Sequence, residues 1–290
     1  MFKILNKQIL SKDVKRVDIH APAIAAKVQA GQFVVVIPRA GSEWVSLCVT
    51  ETELQRGLIS VIFQERDAAT VHLGAIPIHE EVYSVIGPLG SPVVEGSPSI
   101  DKTGFILCAA EGLGAALILP VCRAFKKAGY KVTGIMGAES KPAVTLEPQM
   151  RIACHKIHIT TKDGSYERRG TVADMVRQVL GSGDVGAVYA AGPVDMMQGV
   201  CRITRERGIK TFVLFNPGRG CGMGFCGACR VRVDGKTVLS CVDGPSFDGH
   251  RVDFEYLKAR QSSLPEPDRE EEKDEVSRSI AKFFPGMLGK

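Results

Sequence analysis

Aromatic residues are scarce in this 290-residue chain, at 6% with a single tryptophan, and the formal net charge is only +5. No basic stripe interleaved with aromatics is present, so no nucleic-acid partner is expected. No run of roughly 18 apolar residues occurs, which excludes a membrane-spanning helix. The opening Met1-Phe2-Lys3-Ile4-Leu5-Asn6-Lys7 lacks the apolar core and cleavage site of a secretory signal. No internal repeat is evident. The histidines, His20, His72, His79, His155, His158 and His250, form no HExxH or similar ligand set. No nucleophile or acid–base pair stands out either, so no catalytic side chain is expected. A disulfide framework is also missing. Cys48, Cys108, Cys122, Cys154 and Cys201 are scattered, and an odd remainder of this kind points to a reducing cytoplasm.

The other cysteines are concentrated. Cys221, Cys226 and Cys229 follow the pattern C-x4-C-x2-C, and Cys241 comes after eleven more residues. This is the plant-type spacing of a [2Fe–2S] cluster. Glycines 220, 222, 224 and 227 tolerate positive φ and let backbone N–H groups approach the inorganic sulfides. Val231 and Val233 alternate with Arg230 and Arg232, Asp234-Gly235 makes a turn, and Val238-Leu239-Ser240 leads back to Cys241. A hairpin thus delivers the fourth ligand. The rival metal is zinc, whose structural sites show two CxxC or CxxH pairs on separate knuckles. Here one spacing is four, another two, and the last cysteine stands alone.

The rest of the chain divides by period. Residues 1–98 hold short apolar runs punctuated by glycine and proline, such as Gly31 to Pro38, Leu58 to Phe63 and Glu81 to Ile86. Six or so strands at this spacing predict a small antiparallel β-barrel. In residues 99–215 strands alternate with helices. The strands are Gly104 to Ala110, Val132 to Gly137, Ile157 to Thr161, Ala187 to Ala191 and Thr211 to Phe215; helices run from Ala115, from Thr171 and from Val194. That order predicts an α/β doubly wound parallel sheet. Residues 216–260 form the small C-terminal iron–sulfur module. Residues 261–290 are a charged tail, with a docking helix over 268–282 as one reading and a solvated tail as the other.

Barrel, doubly wound domain and cysteine module, in that order, resemble the ferredoxin reductase-like flavoproteins with an iron–sulfur tail. That group includes the small subunit of NADH-dependent ferredoxin–NADP reductase, the electron-transfer subunit of dihydroorotate dehydrogenase and the small subunit of sulfide dehydrogenase. The marks are Gly31-Gln32-Phe33-Val34, Ile86-Gly87-Pro88-Leu89-Gly90, Asp163-Gly164-Ser165-Tyr166, Ala191-Gly192-Pro193-Val194-Asp195 and Cys241-Val242-Asp243-Gly244-Pro245.

The resemblance implies FAD on the barrel, a nicotinamide nucleotide on the parallel sheet, and a cluster held by Cys221, Cys226, Cys229 and Cys241. The family's flavin segment Arg-x-Pro-Leu-Thr falls on Trp44-Val45-Ser46-Leu47-Cys48, and its Gly-x-x-Thr on Asp67-Ala68-Ala69-Thr70. Ser46, Leu47, Cys48 and Thr70 are thus the implied flavin residues, with Asp67 repelling a phosphate. The glycine loop falls on Ala110-Glu111-Gly112-Leu113-Gly114, so Gly112, Gly114, Thr161, Asp163, Gly192 and Pro193 are the implied NAD(H) residues. Glu111 puts a carboxylate where a diphosphate would lie, and is expected to satisfy the backbone donors there itself. Glu139 stands where the family often has arginine, which disfavours NADP(H). Leu117 replaces the proline that closes the loop.

The expected role is an oxidoreductase electron-transfer subunit in the cytoplasm. It would pass electrons between NAD(H), FAD and the [2Fe–2S] cluster to a larger flavo-iron–sulfur subunit, with ferredoxin as a further partner. The alternative is a family member that has lost the flavin or nucleotide site and serves as a [2Fe–2S] relay or scaffold.

Overall fold

The computed structural model describes residues 2–94, 100, 103–216, 218 and 220–263. Strands β1 (Phe2–Ile9), β2 (Val14–His20), β3 (Phe33–Ile37), β4 (Val45–Glu53), β5 (Leu58–Gln64), β6 (Glu81–Val82) and β7 (Ser84–Leu89) come first, with helices α1 (Pro22–Ala25) and α2 (Ala68–Ala75) between them. They form one antiparallel sheet in the order β6-β1-β2-β5-β4-β3-β7. The apolar run from Glu81 to Ile86 is two strands, not one. β6 pairs with β1 and β7 with β3, so consecutive residues sit at opposite edges of the sheet. That forces the sheet to curl so that its two ends approach at residues 82–84, giving a half-open barrel in which β6 and β7 remain the edge strands. Val34, Val36, Val45, Leu47, Val49, Ile59 and Val61 fill the interior.

The second unit comprises β8 (Phe105–Glu111), α3 (Gly114–Lys127), β9 (Val132–Ala138), α4 (Glu147–Ala153), β10 (Lys156–Thr161), β11 (Arg168–Arg169), α5 (Val172–Leu180), β12 (Val185–Ala191), α6 (Val194–Glu206) and β13 (Thr211–Leu214). Alternate residues of a strand face opposite sides of a sheet. Ile106, Cys108 and Ala110 of β8 accordingly pack under α3 and α4, while Leu107 and Ala109 pack under α5 and α6. A parallel sheet covered on both faces results.

The chain then makes the hairpin β14 (Arg230–Val233) and β15 (Lys236–Leu239), returns as β16 (Ser246–Asp248) and continues into α7 (Phe254–Ser263), the last described element. β16 pairs antiparallel with β13, so the second sheet runs β11-β10-β9-β8-β12-β13-β16. Val231, Val252, Phe254 and Leu257 join the core beneath α6. The cysteine module is therefore fastened to the α/β unit on both sides of its loop. Residues 268–282, read above as a docking helix or a tail, lie outside the described residues.

The two sheets meet through α3, which packs on β4. Glu51 of β4 takes an ion pair from Arg16 of β2 and another from Arg123 of α3. Leu117 of α3 lines a cavity of only about 10 Å³ with Cys48, Phe33, Leu214 and Phe215. A void of that size holds about one water.

Candidate electron-transfer site

The four clustered cysteines fall into two pairs. Cys221 and Cys226 are joined by backbone N–H donations to sulfur: the Cys226 N–H to the Cys221 Sγ and the Cys221 N–H to the Cys226 Sγ, each 3.4 Å. Cys229 and Cys241 lie Sγ to Sγ at 3.1 Å. The type of turn explains the second pair. Asp234 and Gly235 both have positive φ, 49° and 73°, as a two-residue type I′ hairpin requires. The register Arg230↔Leu239 sets Cys229 opposite Ser240, which leaves the next residue, Cys241, beside Cys229. The Ser240 N–H donates to the Cys229 carbonyl at 3.0 Å and locks that closure.

Among the described residues, no three His, Cys, Asp or Glu side chains are grouped as a single metal ion would require. Two thiol pairs are a donor set that would suit a two-iron cluster, which supplies one-electron transfer. The Met223 and Ala228 N–H groups add donations to the Cys221 and Cys226 sulfurs, both 3.4 Å. Burial alone would raise the Cys221 thiol, but the N–H donations from Cys226 and Met223 outweigh it and bring the pKa down to about 7. The N–H groups thus favour the thiolate, the form that binds metal. Cys241 goes the other way, to about 12, through burial and the adjacent Cys229 thiol.

One side of this loop is buried and the other is open. Cys229 and Cys241 pack with Phe33, Val35 and Ile37 on the outer face of β3, beside Trp44, Ile86, Leu89 and Leu239. Cys226 is exposed, and Met223, Phe225 and Val242 around it are 43%, 72% and 51% exposed. Trp44 meets the Phe225 ring edge-on at 6.2 Å between centroids.

The implied flavin residues lie on β4 and at the start of α2. Leu47 points into the barrel core, so only its backbone is available to a ligand. The Ser46 N–H donates to the Gly218 carbonyl at 3.0 Å, while the buried Ser46 Oγ has no hydrogen-bond partner. Burial pushes the Cys48 thiol to about 12, which makes it an unreactive hydrophobe. Thr70 belongs to a closed capping box. Asp67 Oδ1 accepts from the Thr70 N–H at 2.9 Å, and Thr70 Oγ1 accepts from the Asp67 N–H at 3.1 Å. The acid anticipated as a repulsive group is therefore also a built-in cap on the helix start that the family uses for phosphate.

The implied nucleotide residues converge at the carboxyl ends of β8, β9, β10 and β12, beside the switch point between β8 and β12 where open α/β sheets bind ligands. Gly112, at φ +56°, has nothing within 4 Å of where a Cβ would stand. Gly114 differs: a Cβ there would overlap the Ala191 carbonyl, so this glycine lets α3 approach β12. Pro193 caps α6, and Gly192 lies against Glu111. The Thr161 hydroxyl is spent inside its own loop, donating to the Tyr166 carbonyl at 3.0 Å. The Asp163 carboxylate accepts from the Ser165 N–H and hydroxyl, at 2.9 and 2.7 Å, and these bonds hold its pKa below the usual range. Glu111 does not satisfy the backbone donors of α3. Its carboxylate pairs with Lys162 Nζ at 3.0 Å. Lys162 also reaches Glu139 at 2.5 Å. Lys162 escaped the sequence reading, since only its position between Thr161 and Asp163 hinted at it.

Residues 220–253 match the family described as the iron–sulfur cluster binding domain of dihydroorotate dehydrogenase B. A Thermotoga maritima protein named as a homolog of the electron transfer subunit of dihydroorotate dehydrogenase B (NAD(+)) is 31% identical over 278 residues, covering 96% of this chain and 95% of its own. A Clostridium beijerinckii protein known as an uncharacterized protein in the adh 3' region is 34% identical over 267 residues, 90% of each chain. Among solved structures, a chain of the NADH-dependent reduced ferredoxin–NADP oxidoreductase, studied for flavin-based electron bifurcation, superposes with a TM-score of 0.84 at 30% identity, over 97% of this chain and 98% of that one. An Amycolatopsis cytochrome P450 reductase, at TM-score 0.59 and 17% identity, shares the fold.

Proposed function

The chain belongs to the family of dihydroorotate dehydrogenase B-type electron-transfer subunits, and on that premise we propose that it passes single electrons through a [2Fe–2S] cluster, held by Cys221, Cys226, Cys229 and Cys241, to a larger flavo-iron–sulfur subunit in the cytoplasm. The observation that carries this reading is the paired arrangement of the four sulfurs, with one pair backed by the barrel and Cys226 at the surface. None of the nine cysteines forms a disulfide, which supports a reducing compartment. No helix among the described residues is long and apolar enough to cross a membrane.

The flavin- and NADH-dependent relatives support FAD and NAD(H) as the organic cofactors of this chain. When bound, FAD exchanges a hydride with the nicotinamide and single electrons with the cluster. The protein's part is placement. The outward face of β4 offers the unpartnered Ser46 Oγ to a polar ring edge, and Trp44 and the β3 side chains keep water from the inner sulfur pair. The apolar rim of Met223, Phe225 and Val242 suits the desolvated contact that a partner subunit, or ferredoxin, would make around the exposed ligand.

A second reading, a relay or scaffold without its own flavin, is favoured by the capping box at Asp67 and Thr70. Visible spectroscopy of the anaerobically purified complex separates the two. Flavin bands, with bleaching of the cluster on addition of NADH, are expected; cluster absorption alone, unmoved by NADH, would establish the relay.

The capping box also yields a directed test. Asp67→Gly removes the carboxylate and frees the Thr70 N–H, at a stability cost of only a few tenths of a kcal/mol for an N-cap exchange to glycine. Flavin retained per chain after gel filtration should rise by about tenfold in affinity terms, roughly 1.4 kcal/mol. Unchanged retention would show that Asp67 does not limit flavin binding.

A further inference from the structure

The nucleotide cleft holds a charge cluster that its glycines do not explain. Glu111 ends β8 with its side chain only 11% exposed, wedged between Gly137 and Gly192 at the switch-point crevice. A carboxylate there faces the ground that a dinucleotide's diphosphate would occupy. Lys162 follows β10, and its backbone N–H donates to the Ala138 carbonyl at 3.0 Å, which fixes the root of the side chain. Its ammonium then spans Glu111 at 3.0 Å and Glu139 at 2.5 Å. The trio carries one net negative charge instead of two.

We propose that Lys162 is the positioning residue of the nucleotide site: it holds the Glu111 carboxylate toward β10, away from the start of α3, and cancels its charge, so that an anionic diphosphate can reach the backbone N–H groups beside Gly112 and Gly114. This rests on the nucleotide-binding reading above. Without Lys162, the Glu111 carboxylate would stand uncompensated in the crevice, and a like charge with a side chain only 11% exposed repels an approaching diphosphate. With Glu111 neutral, the ammonium keeps Glu139 as its partner at 2.5 Å and has no charge left to cancel on the diphosphate side. Glu139, on the far side of the lysine, remains exposed and opposes a ribose 2′-phosphate.

The test is a double-mutant cycle on the intact chain, with NADH and ADP-ribose titrated calorimetrically into wild type, Lys162→Met, Glu111→Gln and the double variant. Lys162→Met should weaken both ligands about tenfold, Glu111→Gln should strengthen them about tenfold, and the double variant should bind within about threefold of Glu111→Gln, whereas independent effects would cancel to wild type. Thermal midpoints measured in parallel show that each variant is folded. Equal affinity in Lys162→Met and wild type would overturn the assignment. So would an equal tenfold loss when Lys162→Met is added to Glu111→Gln, because that marks a role independent of Glu111. If folded Glu111→Gln, with its obstacle removed, binds neither ligand, the nucleotide reading itself fails and takes this role with it.

Discussion

Cys229→Ala is expected to abolish the cluster: iron and acid-labile sulfide should fall to background, and the visible absorption and reduced-state resonance signal should vanish. Alanine is the informative replacement because Cys229 lies in an apolar cluster with Phe33, Val35 and Ile37. A methyl group keeps that surface dry, so the loss reports the missing ligand and not a buried hydroxyl. The consequence for folding should be local. Residues 220–241 contribute few apolar side chains of their own, and metal binding supplies order that such a segment cannot generate by burial. The parallel sheet, with its separate cores on both faces, should keep its unfolding transition while the cysteine loop becomes susceptible to limited proteolysis. Cys48→Ala, which removes a buried, unreactive thiol outside the pairs, should leave the iron in place. Retention of the iron signal in Cys229→Ala would sink the ligand assignment. One zinc and no iron in anaerobically prepared wild type would sink the cluster itself.

The second large effect is expected at Gly114. A Cβ there would overlap the carbonyl carbon and oxygen of Ala191 and stand 2.9 Å from the Gly192 nitrogen. These are backbone atoms of a central strand and cannot rotate aside. Gly114→Ala must therefore push α3 off the sheet, opening the contacts of Ala115, Ile118 and Leu119 with the core. Overpacking of this kind costs about 3 kcal/mol or more. Gly112→Ala is the matched comparison. Its Cβ meets nothing, but its φ of +56° lies in the left-handed region, so the cost is only about 1 kcal/mol. Urea denaturation of both variants distinguishes a packing glycine from a turn glycine. Equal destabilisation would show that the close approach of α3 to β12 is not what Gly114 secures.

Features that depend on neighbours in the chain were legible without a fold. The proposed metal ligands lie within 21 residues, and the Asp234-Gly235 turn that joins the second thiol pair is local chemistry. The strand–helix alternation of the α/β unit was legible for the same reason, since its buried strands are short continuous apolar runs. β4 was not: its second half, Thr50-Glu51-Thr52-Glu53, is polar, and the ion pairs that accommodate Glu51 come from β2 and α3. The split of residues 81–89 into two edge strands was likewise hidden, because only curling of the whole sheet sends β6 to β1 and β7 to β3.

Sequence by itself determined which four cysteines are proposed as cluster ligands, which glycines can turn, and that acids stand at Asp67, Glu111 and Glu139. Tertiary structure alone decided what those acids do. Asp67 is drawn into a cap by the helix it begins. Glu111 is neutralised by a lysine 51 positions away. Residue identity specifies a charge, but its effect on an approaching phosphate depends on the counter-charge and burial around it, and these exist only once the ends of separate strands have been brought together.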